Sequence, residues 1–144
     1  MNKRQIASVV KQVPRGIDWH PDRLTKALAS TVPVVPKLNV KILAALKRGA
    51  GFDMGSWHDS WGSDKYSCGS THCRAGWAVA LAGEPGIALE GNLGPELAGA
   101  LITVASCPEL RGKVPDFFSS THDAMADIKR LAKLERARPK KERS

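Results

Sequence analysis

Ile6, Val9, Val10 and Val13 recur at three- to four-residue intervals, while Lys3, Arg4 and Lys11 lie off that stripe. Such spacing gathers apolar side chains on one face of a helix. A first helix is therefore expected from Asn2 to about Val13. Asn2 and Gln5 form a capping box at its start, and Pro14 stops it. His20-Pro21-Asp22 opens a second, short helix, because a proline in the first turn gives up an N–H that has no partner there. Its expected buried side is Leu24, Ala27 and Leu28. Residues 31–36 hold two prolines and read as extended chain. Leu38, Ile42, Ala45 and Leu46 predict a third helix over residues 37–48, with Lys37, Lys41 and Arg48 on the opposite face.

Residues 52–71 break the pattern. They hold Gly, Ser, Asp and the rings of Trp57, Trp61 and Tyr66, and read as one irregular loop. A loop of that length inside a compact domain is functional or disordered, and large rings repay burial, which favours order. A fourth helix over residues 73–82 is apolar nearly all round and is expected to be central, capped by Thr71 or Ser70. Glu84-Pro85-Gly86 reads as a turn, with a short helix at about 87–90. Pro95 opens the next helix, with Leu97, Leu101, Ile102 and Val104 apolar, and Cys107-Pro108 ends it. Residues 114–118 read as a linker anchored by Phe117 and Phe118. Ser120 and Asp123 box the start of a last helix over about 122–138, with Met125, Ile128, Leu131 and Ala132 on its apolar face. The expected fold is mostly α: a single helical domain over 1–138, built as a small bundle of five to six helices with one long Trp/Cys/His loop, and a basic flexible tail over 139–144.

Charge changes this picture by dividing the chain. Residues 1–48 hold ten Lys/Arg against two acids, residues 49–110 two against seven, and residues 111–144 ten against five. The ends are thus +8 and +5 around a middle of −5. Basic ends attract phosphate backbones or acidic protein surfaces. The candidate contact residues are Lys37, Lys41, Lys47 and Arg48 in the third helix and Lys129, Arg130, Lys133 and Arg136 in the last. The plain alternative for either helix alone is a solvated face. No base-reading motif, aromatic RNA platform or phosphate-binding glycine loop is present. No apolar run approaches the roughly 18 residues of a membrane span, and no apolar stretch follows Met1-Asn2-Lys3-Arg4 as in a secretory signal. A cytoplasmic setting with reduced cysteines and no membrane partner is expected.

Candidate chemistry gathers in residues 53–77. Trp57-His58 and Cys68-Gly69-Ser70-Thr71-His72-Cys73-Arg74-Ala75-Gly76-Trp77 bring two cysteines and two histidines within sixteen residues. Four readings compete. Zinc, the candidate cofactor, would take His58, Cys68, His72 and Cys73 as a tetrahedral set, although the C-x4-C spacing is loose and neighbouring His72 and Cys73 diverge on a helical turn. Cys73 at a helix N-terminus is a candidate thiol nucleophile, with His58 or His72 as base and Asp59 as orienter. Cys68 and Cys73 would make a redox pair outside the usual C-x-x-C pattern. The default is structural: cysteines packed as small hydrophobes under a tryptophan-rich loop.

These residues also carry a resemblance. Phe52-Asp53-Met54-Gly55-Ser56-Trp57-His58, the Cys68–Trp77 stretch, Leu81-Ala82-Gly83-Glu84, Leu89-Glu90 and Ala98-Gly99-Ala100-Leu101-Ile102 resemble a family of small bacteriophage and bacterial proteins. That family runs D-M-x-x-W-H, then C-G-T-T-H-C-R-A-G-W, then L-A-G-x-x-G and L-E. The likeness covers roughly residues 38–130, and it departs where residues 59–67 lengthen the link between His58 and Cys68. It implies a phage or bacterial origin and an association of His58, Cys68, His72 and Cys73, but no activity. The leading expectation is a non-enzymatic binding protein acting on a nucleic acid or nucleoprotein complex. An inhibitor of a host defence system, such as an anti-CRISPR protein, is one case. The alternatives are a thiol- or zinc-dependent enzyme centred on Cys73 and an interaction module whose cysteines only pack.

Overall fold

The computed structural model describes residues 1–13, 21–54, 58–59 and 71–138, with 58, 59 and 71 as strand backbone only. Seven α-helices account for most of them: α1 (Lys3–Gln12), α2 (Arg23–Leu28), α3 (Leu38–Lys47), α4 (Arg74–Leu81), α5 (Glu84–Leu93), α6 (Pro95–Ser106) and α7 (Thr121–Ala137). The mostly helical bundle expected from the apolar periodicity is what forms. The expected tail, 139–144, lies outside the described residues.

Local chemistry sets the helix ends. Asn2 and Gln5 exchange reciprocal bonds of 2.8 Å, which satisfies two donors at the start of α1. The far end of α1 is held from another helix. Arg23 Nη2 donates to the carbonyls of Val10 at 2.7 Å and Val13 at 2.6 Å. Those carbonyls are acceptors that a helix leaves without intrahelical partners. Two corrections concern α2. It begins at Arg23, after Asp22, and its Leu24 is exposed, so Ala27 is its buried residue.

The core forms around α6. Leu97, Ala98, Gly99, Ala100, Leu101, Ile102, Thr103 and Val104 are all buried, so every side of this helix meets protein. The fourth helix was expected to be central; α4 is buried from Arg74 to Val79, but α6 is the more completely enclosed. The two pack closely because Gly99 has no side chain. A Cβ there would stand 2.5 Å from the Ala75 Cβ and 2.8 Å from its Cα.

The turn expected at Glu84-Pro85-Gly86 is the first turn of α5, which runs ten residues. Pro85 is tolerated because the first helical N–H groups need no carbonyl. Gly86 is buried against α4, where a Cβ would meet the Val79 carbonyl at 2.5 Å. After α6, residues Pro108–Leu110 form a 3₁₀ turn. Phe117 then anchors the following segment in the core, whereas Phe118 is 68% exposed, so one ring anchors rather than two.

α3 and α7 pack against each other, and Glu135 of α7 ties the start of α3. Beyond α3, in the segment after Phe52, Met54 N donates to Thr121 Oγ1 at the start of α7 at 3.2 Å. Near the far end of α7 the Glu135 carboxylate accepts from Asn39 N at 3.3 Å and Val40 N at 3.0 Å. The helices therefore run antiparallel. Lys37, in the capping position of α3, sits in the left-handed region at φ 54° and offers no side-chain bond. Glu135 supplies the missing cap from α7.

The loop expected over 52–71 includes three two-residue strands: β1 (Gly51–Phe52), β2 (His58–Asp59) and β3 (Thr71–His72). β3 is central, parallel to β1 and antiparallel to β2. Trp57, Trp61, Tyr66 and Cys68 lie outside the described residues.

Candidate functional site

The strand β3 runs directly into α4, and this junction carries most of the candidate chemistry. His72 pairs in backbone register with Phe52 on one side and His58 on the other. Its ring is fully buried and stands edge-on to Trp77, centroids 4.8 Å apart and planes at 77°. That edge-to-face geometry is the favoured one for aromatic rings. The Trp77 indole N–H donates to the Gly51 carbonyl at 2.9 Å, which fixes β1 onto α4.

Cys73, not Thr71 or Ser70, caps α4. Its backbone is extended and its Sγ accepts from Gly76 N at 3.4 Å. Sulfur is a weak acceptor, but it is small and apolar enough to cap a helix start inside the core. Burial pushes the Cys73 thiol up to about 11, against the lowering effect of the backbone N–H groups of Gly76 and Ala75. The helix dipole was expected to favour thiolate here; desolvation outweighs it. At neutral pH the sulfur is a protonated, packed cap.

Of the four candidate zinc ligands, the structure describes the side chains of two. His72 and Cys73 are adjacent and buried, and Cys73 Sγ is engaged with Gly76. The side chain of His58 and all of Cys68 lie outside the described residues. Among the described residues no three His, Cys, Asp or Glu side chains come together as a metal-holding group. Two neighbouring donors do not make a tetrahedral site.

A second polar centre, absent from the sequence expectations, joins α3, α6 and α7. Glu135 is fully buried. Besides capping α3, its Oε2 accepts from Asn39 Nδ2 at 2.8 Å, and the Cys107 thiol donates to it at 3.6 Å. Asn39 Nδ2 also donates to Cys107 Sγ at 3.2 Å. Burial, then the nearby Glu135 charge, pushes the Cys107 thiol up to about 12. Every contact here satisfies a donor or acceptor inside the core, so the centre is structural. The signal was available: Ile128, Leu131, Ala132 and Glu135 share one helical face, which places a carboxylate among buried positions.

Ion pairs flank this centre. Arg138 grips Glu109 with both arms, Nε–Oε2 at 2.9 Å and Nη2–Oε1 at 2.6 Å. Burial works to raise the Glu109 carboxyl, but the Arg138 bonds and charge hold it below its ordinary value. Arg74, the first residue of α4, is 3% exposed and meets Asp127 at 2.7 Å. Arg130 meets the same carboxylate at 2.7 Å. Burial again opposes, yet the two arginines hold the Asp127 carboxyl below its ordinary value.

The basic candidates sit on the outer faces of α3 and α7. Lys41, Lys47, Arg48, Lys129, Lys133 and Arg136 are exposed, and Lys37 is half-buried. Among the described residues none of these seven has an acidic partner within ion-pair distance. Arg130 is the exception, committed to Asp127. No described helix is long and apolar enough to cross a membrane.

Comparison with protein-family models, with curated proteins and with solved structures finds no match for the chain. A functional reading therefore rests on the geometry above.

Proposed function

We propose that the protein is a non-enzymatic binding protein that engages a nucleic acid or nucleoprotein partner through α3 and α7. One observation carries this reading: six exposed lysines and arginines on two directly packed helices lack acidic partners among the described residues. Surface cations used only for solubility are commonly interspersed with acids that pair with them. Here Asp127 and Glu135, on the same helix as Lys129 and Lys133, are turned to buried arginine and to the α3 start instead. The cations are left available for phosphate oxygens. A protonated, capping Cys73 gives no support to a nucleophile at the β3–α4 junction. The resemblance to small phage and bacterial proteins makes an inhibitor of a host nucleoprotein complex, such as an anti-CRISPR protein, one case of this activity.

Salt dependence tests the reading. Binding to a labelled duplex of mixed sequence is measured by fluorescence anisotropy across a salt series. The expected logarithmic slope is about −3 to −5, as for several phosphates neutralised. Replacing Lys129, Lys133 and Arg136 with Glu is expected to reduce the slope and weaken binding uniformly across sequences. Binding that is insensitive to salt, or unchanged in the triple variant, overturns the proposal.

A further inference from the structure

The exposed arc of α7 has a definite cross-section. At about 100° per residue, Lys133 and Ala137 point within about 20° of Ala126, and all three are exposed. They form the crest of the helix. Lys129 and Arg136 stand about 60–80° to one side of it, and Arg130 about 40° to the other. Arg130 donates Nε and Nη2 to Asp127 Oδ1, which fixes its direction, and its side chain remains 57% exposed. The helix thus carries cations on both flanks, while its crest holds two methyl groups and one lysine. Neither α3 nor α7 contains Phe, Tyr or Trp. Proteins that hold single strands use such rings as stacking platforms for the bases.

Resting on the binding role proposed for these helices, we infer that α7 lies along the major groove of double-stranded DNA and binds it without regard to sequence. A helix with its side chains is about 10–12 Å across, and the major groove of B-form DNA is about 12 Å wide. The low crest enters the groove, and the two charged flanks meet phosphates on its two walls. A single strand offers one wall only. An A-form RNA duplex has a major groove too narrow for side chains to enter. Reading bases takes forked donors and acceptors at the groove floor, most often arginine, asparagine or glutamine. The crest has none of these, and α7 contains no asparagine or glutamine.

The test compares four labelled probes on the full chain at one salt concentration: a short DNA duplex, its single strand, an RNA duplex of the same sequence and polyglutamate. Fluorescence anisotropy is expected to show the DNA duplex bound about tenfold or more tightly than each of the others. Scrambling its sequence is expected to change affinity by less than about twofold. In a dimethyl sulfate footprint of the complex, guanine N7 in the major groove is expected to be protected while adenine N3 in the minor groove stays reactive. Ala126→Phe raises the crest at an exposed position without changing charge, and is expected to weaken duplex DNA binding about tenfold. Should that variant fail to fold, the footprint on the parent chain still decides. No binding to any nucleic acid overturns the binding role and this inference with it. Equal affinity for the single strand or the RNA duplex, or guanine N7 left reactive in the complex, overturns the groove alone. Preference for polyglutamate overturns it too and assigns the arc to an acidic protein surface.

Discussion

Glu135 Oε1 of α7 accepts the backbone N–H of Val40, the third residue of α3, at 3.0 Å. A carboxylate beside exposed helix donors is a strong cap, and this one comes from another helix. Glu135→Ala leaves the N–H groups of Asn39 and Val40 and the Asn39 amide without it. We expect a loss of about 2–4 kcal/mol of stability, read from urea unfolding. Glu135→Gln keeps one acceptor oxygen and should fall between that variant and the parent. A Glu135→Ala variant as stable as the parent would show that the cap contributes nothing.

Close approach of α4 and α6 at Gly99 and Ala75 gives a second expectation. Gly99→Ala places a methyl 2.5 Å from the Ala75 Cβ and 2.9 Å from its carbonyl oxygen. Overpacking of this kind costs about 1–3 kcal/mol. Ala75→Gly should recover part of that loss in the double variant, giving a favourable coupling in a double-mutant cycle. Additive effects would mean that the helices separate rather than clash.

Both described thiols should be inert in the native protein. Burial holds Cys73 near 11 and Cys107 near 12, above the ordinary value of 9.0. Each stays protonated in the folded chain at pH values where the unfolded chain has lost its proton. Stability is therefore full below about pH 9 and declines as pH rises from there toward the folded values. At neutral pH, iodoacetamide should label Cys73 and Cys107 only on unfolding, as read by peptide mass spectrometry. Rapid labelling of Cys73 in the native state would revive the nucleophile.

Acid acts on the ion pairs in the opposite sense. Glu109 and Asp127 are held below their ordinary values of 4.5 and 3.8. Their contribution is present above those values and is lost as pH falls through the lower folded ones. We expect the urea midpoint to decline from about pH 4.5 downward, and the Glu109→Gln variant to decline less over the same range. Equal acid sensitivity in both proteins would remove the Glu109–Arg138 pair as a cause.

Much of the helical frame was legible in the sequence. Ile6, Val9 and Val10 mark α1, and Ile128, Leu131 and Ala132 mark α7, because burial of a single face imposes helical spacing. The Asn2 and Ser120 caps were legible for the same local reason: their partners lie three residues away. What was missed depends on distant neighbours. Cys73 caps α4 because the core is dry there, which a sequence-only ranking of capping residues does not see. Glu84-Pro85-Gly86 has the composition of a turn and becomes helix because Gly86 fits against Val79. Arg74 looks like a surface cation until Asp127 arrives from α7. The candidate site was legible in part: the exposure of Lys41, Lys129 and Lys133 followed from periodicity, but the commitment of Arg130 to Asp127 did not.

The Glu135 tie between α3 and α7 also bears on when the chain can finish folding. Asn39 and Glu135 are 96 residues apart in sequence, so their contact closes a very large loop. Such contacts raise contact order and form late. On the ribosome, α3 emerges long before α7 and waits with its first N–H groups bare. The amino-terminal half can become helical during synthesis, but the bundle closes only after residue 135 has left the exit tunnel. Until then the underside of α3 is open surface that a chaperone can hold.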